Sequence, residues 1–294
     1  MFWNDYIRVR SEEDAVKELS RLGGGGRVIA GGTDLVLQLK DGSVESKCLI
    51  DVSKIESMRG MYQKDGKITV GAANTHGEIS HSDLVRRTGP ILSEACAEIG
   101  SRQIRNIATI GGNIVNALPA ADSVIPLIAL NASCRVVSSD ASREIPIEEL
   151  FLGPGVSTVD PTNSLLTQIS FEPLDRSEGS GFYRLTRRKG ATCPIINCAI
   201  WLRWDEEIRR IKNIRIAMGP VAPVPKRLRE TEAVLMSTTL SERLIKEAQS
   251  SVEKEVVLRS SIRGGSEYRS AMSKVIFKRT LGIALKNAGW ENGC

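Results

Sequence analysis

Histidine, aromatic residues and grouped cysteines are what this 294-residue sequence has least of. Its only histidines, His76 and His81, stand five apart without a second ligating pair beside them. A metal centre is therefore not expected, and the two read as a loop residue and a neighbour of a helix cap. Aromatics make up 4% of the chain, too few to stack a run of bases. Six cysteines (Cys48, Cys96, Cys134, Cys193, Cys198 and Cys294) are scattered rather than clustered. That spacing excludes a disulfide-rich module and a compact iron–sulfur ligand set, and suits reduced thiols of a cytosolic protein. Cys193 and Cys198 flank a strand-like run and are expected to be buried and inert. The most apolar stretch, residues 124–130, contains Pro126 and falls far short of the ~20 residues of a membrane span. No basic segment followed by an apolar one opens the chain, so a soluble, cytoplasmic protein is expected. No Ser/His/Asp or Cys/His nucleophilic set can be assembled, and no internal repeat is visible.

What remains is an ordinary globular composition, 41% apolar and 26% charged, with a formal charge of +5. The length allows two domains with cores of their own. Much of the positive charge crowds into residues 184–229, from Arg184, Arg187, Arg188 and Lys189 through Arg203 to Arg215, Lys226, Arg227 and Arg229. It reads as a solvated sheet face, answered locally by Asp205, Glu206 and Glu207, and does not by itself imply nucleic acid.

Local signals mark the elements. Ser11 caps a helix whose first turn holds Glu12, Glu13 and Asp14, whose apolar face is Ala15, Val16, Leu19 and Leu22, and which glycines 23–26 end. Short strands follow at 27–30, 49–51, 67–70 and 134–137, with a helix at 90–99. After Gly153-Pro154-Gly155 and Asp160-Pro161 come four strand-like runs, 165–171, 182–186, 195–204 and 208–218. Lacking long helices between them, they suggest one antiparallel sheet. Ser241 caps a further helix, and Ser266 opens a long one expected to turn Met272, Val275, Ile276 and Ile283 inward. The reading is α+β, divided into 1–175 (itself 1–58 and 59–175), 176–285 and a tail at 286–294.

Two glycine turns carry the chemistry. Ala30-Gly31-Gly32-Thr33-Asp34 follows a strand directly, and Thr109-Ile110-Gly111-Gly112-Asn113 follows the helix at 90–99. Paired glycines permit positive φ and let a ligand approach the backbone. Successive N–H groups at both turns could then converge on an oxyanion, which fits the lack of Lys or Arg in either. Each turn alone is more often a packing device. Neither G-x-G-x-x-G before a helix nor G-x-x-x-x-G-K-[ST] is present, so a dinucleotide here would need another fold.

The segments 29–35, 103–113 and Pro119-Ala120-Ala121-Asp122 together resemble the flavin-binding signatures of the molybdenum hydroxylases. More narrowly they resemble the FAD-carrying medium subunit of the xanthine dehydrogenase and carbon monoxide dehydrogenase group. Residues 219–227 are similar to the opening of that subunit's C-terminal domain, and Tyr268-Arg269 to its last helix. The resemblance spans about residues 1–285. It implies a two-subdomain FAD-binding fold of the PCMH/vanillyl-alcohol-oxidase type, followed by a small C-terminal α+β domain.

Carried over, Val28, Ile29, Ala30, Gly31, Gly32, Thr33, Asp34 and Leu35, with Thr109, Ile110, Gly111, Gly112 and Asn113, would surround the FAD diphosphate. Gly100, Asp122 and Leu166 match further FAD contacts, Asp122 suiting sugar hydroxyls. Arg184 falls where the family usually has a lysine near the flavin.

The resemblance implies a noncovalent FAD subunit that takes electrons from a [2Fe–2S] small subunit and passes them to an external acceptor. A large subunit would hold the molybdenum cofactor, in a dimer of heterotrimers. No side chain of this chain is nominated as catalytic. A self-sufficient flavin reductase related to the bacterial cell-wall reductases, and a non-enzymatic basic binding module, stay open as alternatives.

Overall fold

A computed structural model describes residues 2–188, 190–260 and 264–290. The chain opens with β1 (Asp5–Arg8), α1 (Glu12–Leu22), β2 (Gly26–Ile29), α2 (Leu35–Lys40) and β3 (Cys48–Asp51). The three strands are parallel in the order β1-β3-β2. The caps of α1 act as their chemistry dictates: Ser11 Oγ accepts from the Asp14 N–H at 3.0 Å, and Gly23 ends the helix at φ 53°. Ala15, Val16 and Leu19 are its buried face.

A second unit follows: β4 (Met61–Lys64), β5 (Lys67–Gly71), α3 (His76–His81), α4 (Asp83–Thr88), α5 (Pro90–Glu98), α6 (Arg102–Arg105), α7 (Ile110–Val115) and α8 (Val124–Ala129). Then come β6 (Ser133–Ser138), β7 (Ser142–Pro146), a short pair β8 (Phe151–Gly153) and β9 (Val156–Ser157), and β10 (Ser164–Phe171). The sheet runs β4-β5-β10-β6-β7 with β10 at its centre. This corrects the expectation for run 165–171, which pairs with β5 and β6 and not with the strands after it. His76 and His81 are the first and last residues of α3, so neither is a loop residue, and His76 is fully buried.

The remainder is an antiparallel sheet, β11 (Glu178–Leu185), β12 (Ile196–Asp205), β13 (Arg210–Gly219) and β14 (Lys226–Arg227), followed by α9 (Arg229–Met236), α10 (Glu242–Glu255) and α11 (Ser266–Asn287). Both faces of this sheet are buried. Along β12, Ala199 and Trp201 join the core of the preceding units, while Cys198, Ile200 and Leu202 join a second core under the helices. A strand covered on both sides reads as a continuous apolar run, which is how residues 195–204 look in sequence.

Helix α11 lies so close to β11 that a Cβ on Gly179 would fall 2.0 Å from the Ala284 carbonyl oxygen, and one on Gly181 would fall 2.6 Å from that of Thr280. Its buried face is therefore small and polar as well as apolar: Arg269, Ser273, Ile276, Phe277, Thr280, Leu281 and Ala284. Of the expected inward set only Ile276 is buried; Val275 is exposed, and Met272 and Ile283 are half-buried. Serine and threonine can be buried there because Ser273 and Thr280 donate to carbonyls of their own helix, Ser270 and Ile276.

The basic region is a solvated face only in part: Arg187, Arg188, Arg209, Lys212 and Arg229 are exposed, while several of its cations are drawn into pairs. Arg184 pairs with Asp122, Arg203 with Glu178, Arg227 with Glu232 and Glu148, and Arg229 with Glu148, while Arg215 stacks 3.9 Å from the centre of the Trp201 ring. Of the three expected local acids, only Asp205 pairs with a cation of this region among the described residues, Lys212. Cys193 is exposed, contrary to expectation, whereas Cys198 is buried and its thiol pushed up to about 12 by burial. Lys189 and Cys294 lie outside the described residues.

Candidate functional site

Strand β2 runs straight into the first glycine turn, and α2 leads away from it. Gly32 sits at φ 68°, where a side chain is strained, and a Cβ there would press on Ile29 and Val36. Gly31 has a different reason to be glycine: a Cβ would lie 2.2 Å from the Ile107 carbonyl oxygen. The first turn therefore rests directly on the backbone that leads into the second. Gln38 of α2 bonds Asn116, just past α7, at 3.3 Å and ties the two a second time.

The two turns come together but offer different groups. Among the described residues, the N–H groups of Gly31, Gly32, Thr33, Asp34 and Leu35 have no acceptor in the protein. Five successive partially exposed or exposed residues thus carry unspent backbone donors, the chemistry of an oxyanion nest. The second turn has committed its amides. Ile110 donates to Asn74 O at 3.0 Å, Gly111 to Ala72 O at 2.9 Å, and Gly112 to the Thr109 cap at 3.2 Å. The expectation of two converging nests is corrected to one.

Gly111 is glycine for the protein's sake, since its Cβ would meet Ala72 Cβ at 2.7 Å and Ala72 O at 2.8 Å. Gly112 is exposed, and a Cβ there would meet only Thr109 Oγ1, at 3.0 Å. What the second turn presents outward is that bare face and the Asn113 amide, whose Oδ1 accepts from Ser123 Oγ at 2.7 Å.

The remaining expected residues fall around this centre. Gly100, at φ 50°, makes the bend between α5 and α6, the helix that carries the chain to Ile107. Val28 and Ile29 lie on β2, with Ala30 at its end. Leu166 is buried in the core on β10, next to the bulge between Leu166 and Gln168. Asp122 is buried and already engaged, its Oδ1 accepting from Arg184 Nε at 3.0 Å and from Asn197 Nδ2 at 2.8 Å. Burial pushes its carboxyl up, with the Arg184 guanidinium pulling the other way. Only Oδ2 is left without a protein donor among the described residues.

Arg184 is spent as well, on Asp122 and on the Thr192 carbonyl, with Glu98 4.0 Å away. It braces the site and does not present a free cation to it. Sequence reading missed Asn197 and Ser123. A lone Asn inside the apolar run 195–204 was the available signal, because a buried amide in a strand needs a partner.

The donor set suits a dinucleotide: unspent neutral amides for a diphosphate on the first turn, the exposed Cβ-free Gly112 on the second, and a carboxylate oxygen at Asp122. Two family models cover the chain. One, described as the FAD binding domain in molybdopterin dehydrogenase, matches residues 2–173, and the other, the CO dehydrogenase flavoprotein C-terminal domain, matches residues 181–284.

The xanthine dehydrogenase FAD-binding subunit of Escherichia coli O157:H7 is 29% identical over 265 residues, covering 90% of each chain. The 6-hydroxypseudooxynicotine dehydrogenase complex subunit alpha of Paenarthrobacter nicotinovorans is 30% identical, covering 97% of this chain and 95% of its own. A carbon monoxide dehydrogenase structure from Hydrogenophaga pseudoflava superimposes with a TM-score of 0.92 at 26% identity, over 97% of this chain and 98% of that one. With the turn geometry and these matches in agreement, the chain belongs to the family of FAD-binding subunits of the molybdenum-containing dehydrogenases.

Proposed function

We propose that this chain is the electron-transfer flavoprotein of a cytoplasmic three-subunit complex. It takes electrons from a [2Fe–2S] small subunit, passes them to an external acceptor, and leaves substrate oxidation to a large subunit carrying the molybdenum cofactor, in a dimer of heterotrimers. Residues 1–175 would hold FAD and residues 176–285 would close over them. The observation that carries the reading is the run of unspent amides from Gly31 to Leu35, on a turn packed against the backbone that leads into the second glycine turn. Those amides would hold the diphosphate, about 1.5–3 kcal/mol for each charge-assisted bond, with Asn113 and Asp122 Oδ2 beside it.

When bound, FAD supplies the one- and two-electron chemistry; the protein supplies binding, orientation and electrostatics. No described carboxylate, imidazole or thiol is assigned an acid–base or nucleophilic role. The test is to titrate the chain with FAD, follow flavin absorbance and quenching, and then measure flavin reduction with and without the other two subunits. Reduction that requires them supports the proposal. Rapid reduction of the lone chain by NADH would favour the self-sufficient reductase instead.

A further inference from the structure

On the helical side of the C-terminal sheet, facing away from the glycine turns, lies a groove of about 1150 Å³ between the start of α10 and the second half of α11. Ile245, Leu281, Leu285 and Trp204 line it, and Trp290 stands edge-on to Trp204 at 6.5 Å at one end. Its rim carries the exposed side chains of Arg209, Lys246, Lys278 and Lys286. Among the described residues none of these four has a carboxylate partner, although other cations on the same helices do: Arg243 pairs with Glu247 and Lys274 with Glu253. Among the described residues, Glu242 is the only acid lining the groove.

Gly282 adds a second, independent observation. It lies inside α11, where glycine weakens a helix, and among the described residues no atom beyond its own stretch of helix lies within 4 Å of where its Cβ would be. No described neighbour requires glycine there, but a backbone approaching from outside would use the space.

We propose that this groove docks an acidic, amphipathic helix of another subunit of the complex, an inference that rests on the subunit reading above. Lys278 and Lys286 are eight residues apart, about 12 Å along the helix. These two cations are therefore spread along the groove instead of converging on one point. Positive charge spread beside an apolar trough matches a helix with an apolar stripe and acidic flanks, seated ridge into groove at Gly282 and steered by the rim. A single phosphate would need converging donors. Stacked bases would need free aromatic faces, and the two tryptophans here pack edge-to-face on each other.

The test uses the complex assembled by co-expression with its partner subunits, comparing wild type, Gly282→Leu, and a triple Lys246→Glu/Lys278→Glu/Lys286→Glu variant. Leucine at 282 favours the helix and its Cβ enters open space; thermal unfolding and FAD content of the isolated chain report that the fold and the distant flavin site are intact. Both variants are expected to keep FAD, to dissociate from the complex at concentrations at least about tenfold higher, and to lose the wild type's salt sensitivity of assembly in the triple variant. Unchanged assembly of both variants overturns the groove proposal alone. Saturable quenching of tryptophan fluorescence by pyrophosphate or ADP, with assembly unchanged, also overturns it and assigns the groove to a small anion. A wild-type chain that binds FAD but joins no other subunit overturns the subunit reading, and the groove proposal with it.

Discussion

Arg184 Nε lies 3.0 Å from Asp122 Oδ1, and the pair bridges the seam between the glycine-turn half of the chain and the C-terminal sheet. Both side chains are nearly sealed from water, at 6% and 7% exposed. Asn197, directly opposite Arg184 on β12, donates to the same oxygen. The next residue along, Ser123, donates to Asn113 of the second glycine turn. The C-terminal sheet thus reaches the second glycine turn, where we propose that FAD binds, through two hydrogen-bonded steps that couple docking of the sheet to the shape of the turn.

Arg184→Met should therefore do two things. It strands a buried carboxylate, which costs about 3–5 kcal/mol when one partner of such a pair is removed, and it loosens the segment that positions Asn113. Urea unfolding should show the first and FAD titration the second, with at least about tenfold weaker binding. Pairing it with Asp122→Asn should recover most of the stability, since no unpaired charge then remains. A double variant as unstable as the single one would show that the arginine acts by packing alone.

The two glycines of the second turn should separate cleanly. Gly111→Ala drives a methyl into Ala72 Cβ and Ala72 O, so it should lower stability by about 1–3 kcal/mol, the usual cost of overpacking, and impair FAD binding only as the fold loosens. Gly112→Ala meets just the Thr109 hydroxyl and gains helix propensity. Its stability should stay within about 0.5 kcal/mol of wild type while FAD affinity falls. Thermal unfolding without flavin, set beside flavin occupancy after desalting, distinguishes them. Equal effects of the two substitutions on both readouts would remove Gly112 from the cradle.

That separation also marks where sequence reading stops. The caps of α1 were legible because Ser11 and Gly23 act within one turn of themselves. The two glycine turns were legible as motifs, and their meeting followed from the family resemblance. Which glycine serves the fold and which faces outward was not legible, because the atoms that decide it, at Ile107 and Ala72, are distant in sequence from Gly31 and Gly111. The same holds for the buried cations: Arg184 and Arg227 looked solvated because Asp122 and Glu148 lie far upstream. The inward face of α11 was misread because serine and threonine carry part of it.

Cysteine chemistry offers a quick check of burial. Cys48, Cys96, Cys134 and Cys198 are buried, and burial raises the thiol pKa of each, whereas Cys193 is exposed beside the Thr192 carbonyl that Arg184 holds. In a Cys294→Ser background the native chain should react rapidly with about one equivalent of a thiol reagent, and Cys193→Ser should abolish that phase. A fast equivalent remaining after Cys193→Ser would contradict the packing of β3, α5, β6 or β12.

His76 should make the fold sensitive to acid. Its ring is fully buried, with Nδ1 3.4 Å from Cys96 Sγ and Nε2 without a partner, and burial, reinforced by the Arg105 charge, lowers its pKa from 6.5 to about 4. Between those values the unfolded chain binds a proton that the folded chain refuses. Stability therefore rises with pH through the window, is complete above about 6.5, and is lost as pH falls toward 4. From pH 7 to 4.5 this one group should remove about 2–3 kcal/mol. His76→Leu leaves no titrating group there, so its unfolding free energy should fall less than the wild type's over the same interval, by about that difference. Urea titrations of both proteins at the two pH values measure it, and parallel losses would mean that the ring takes up its proton without opening the fold.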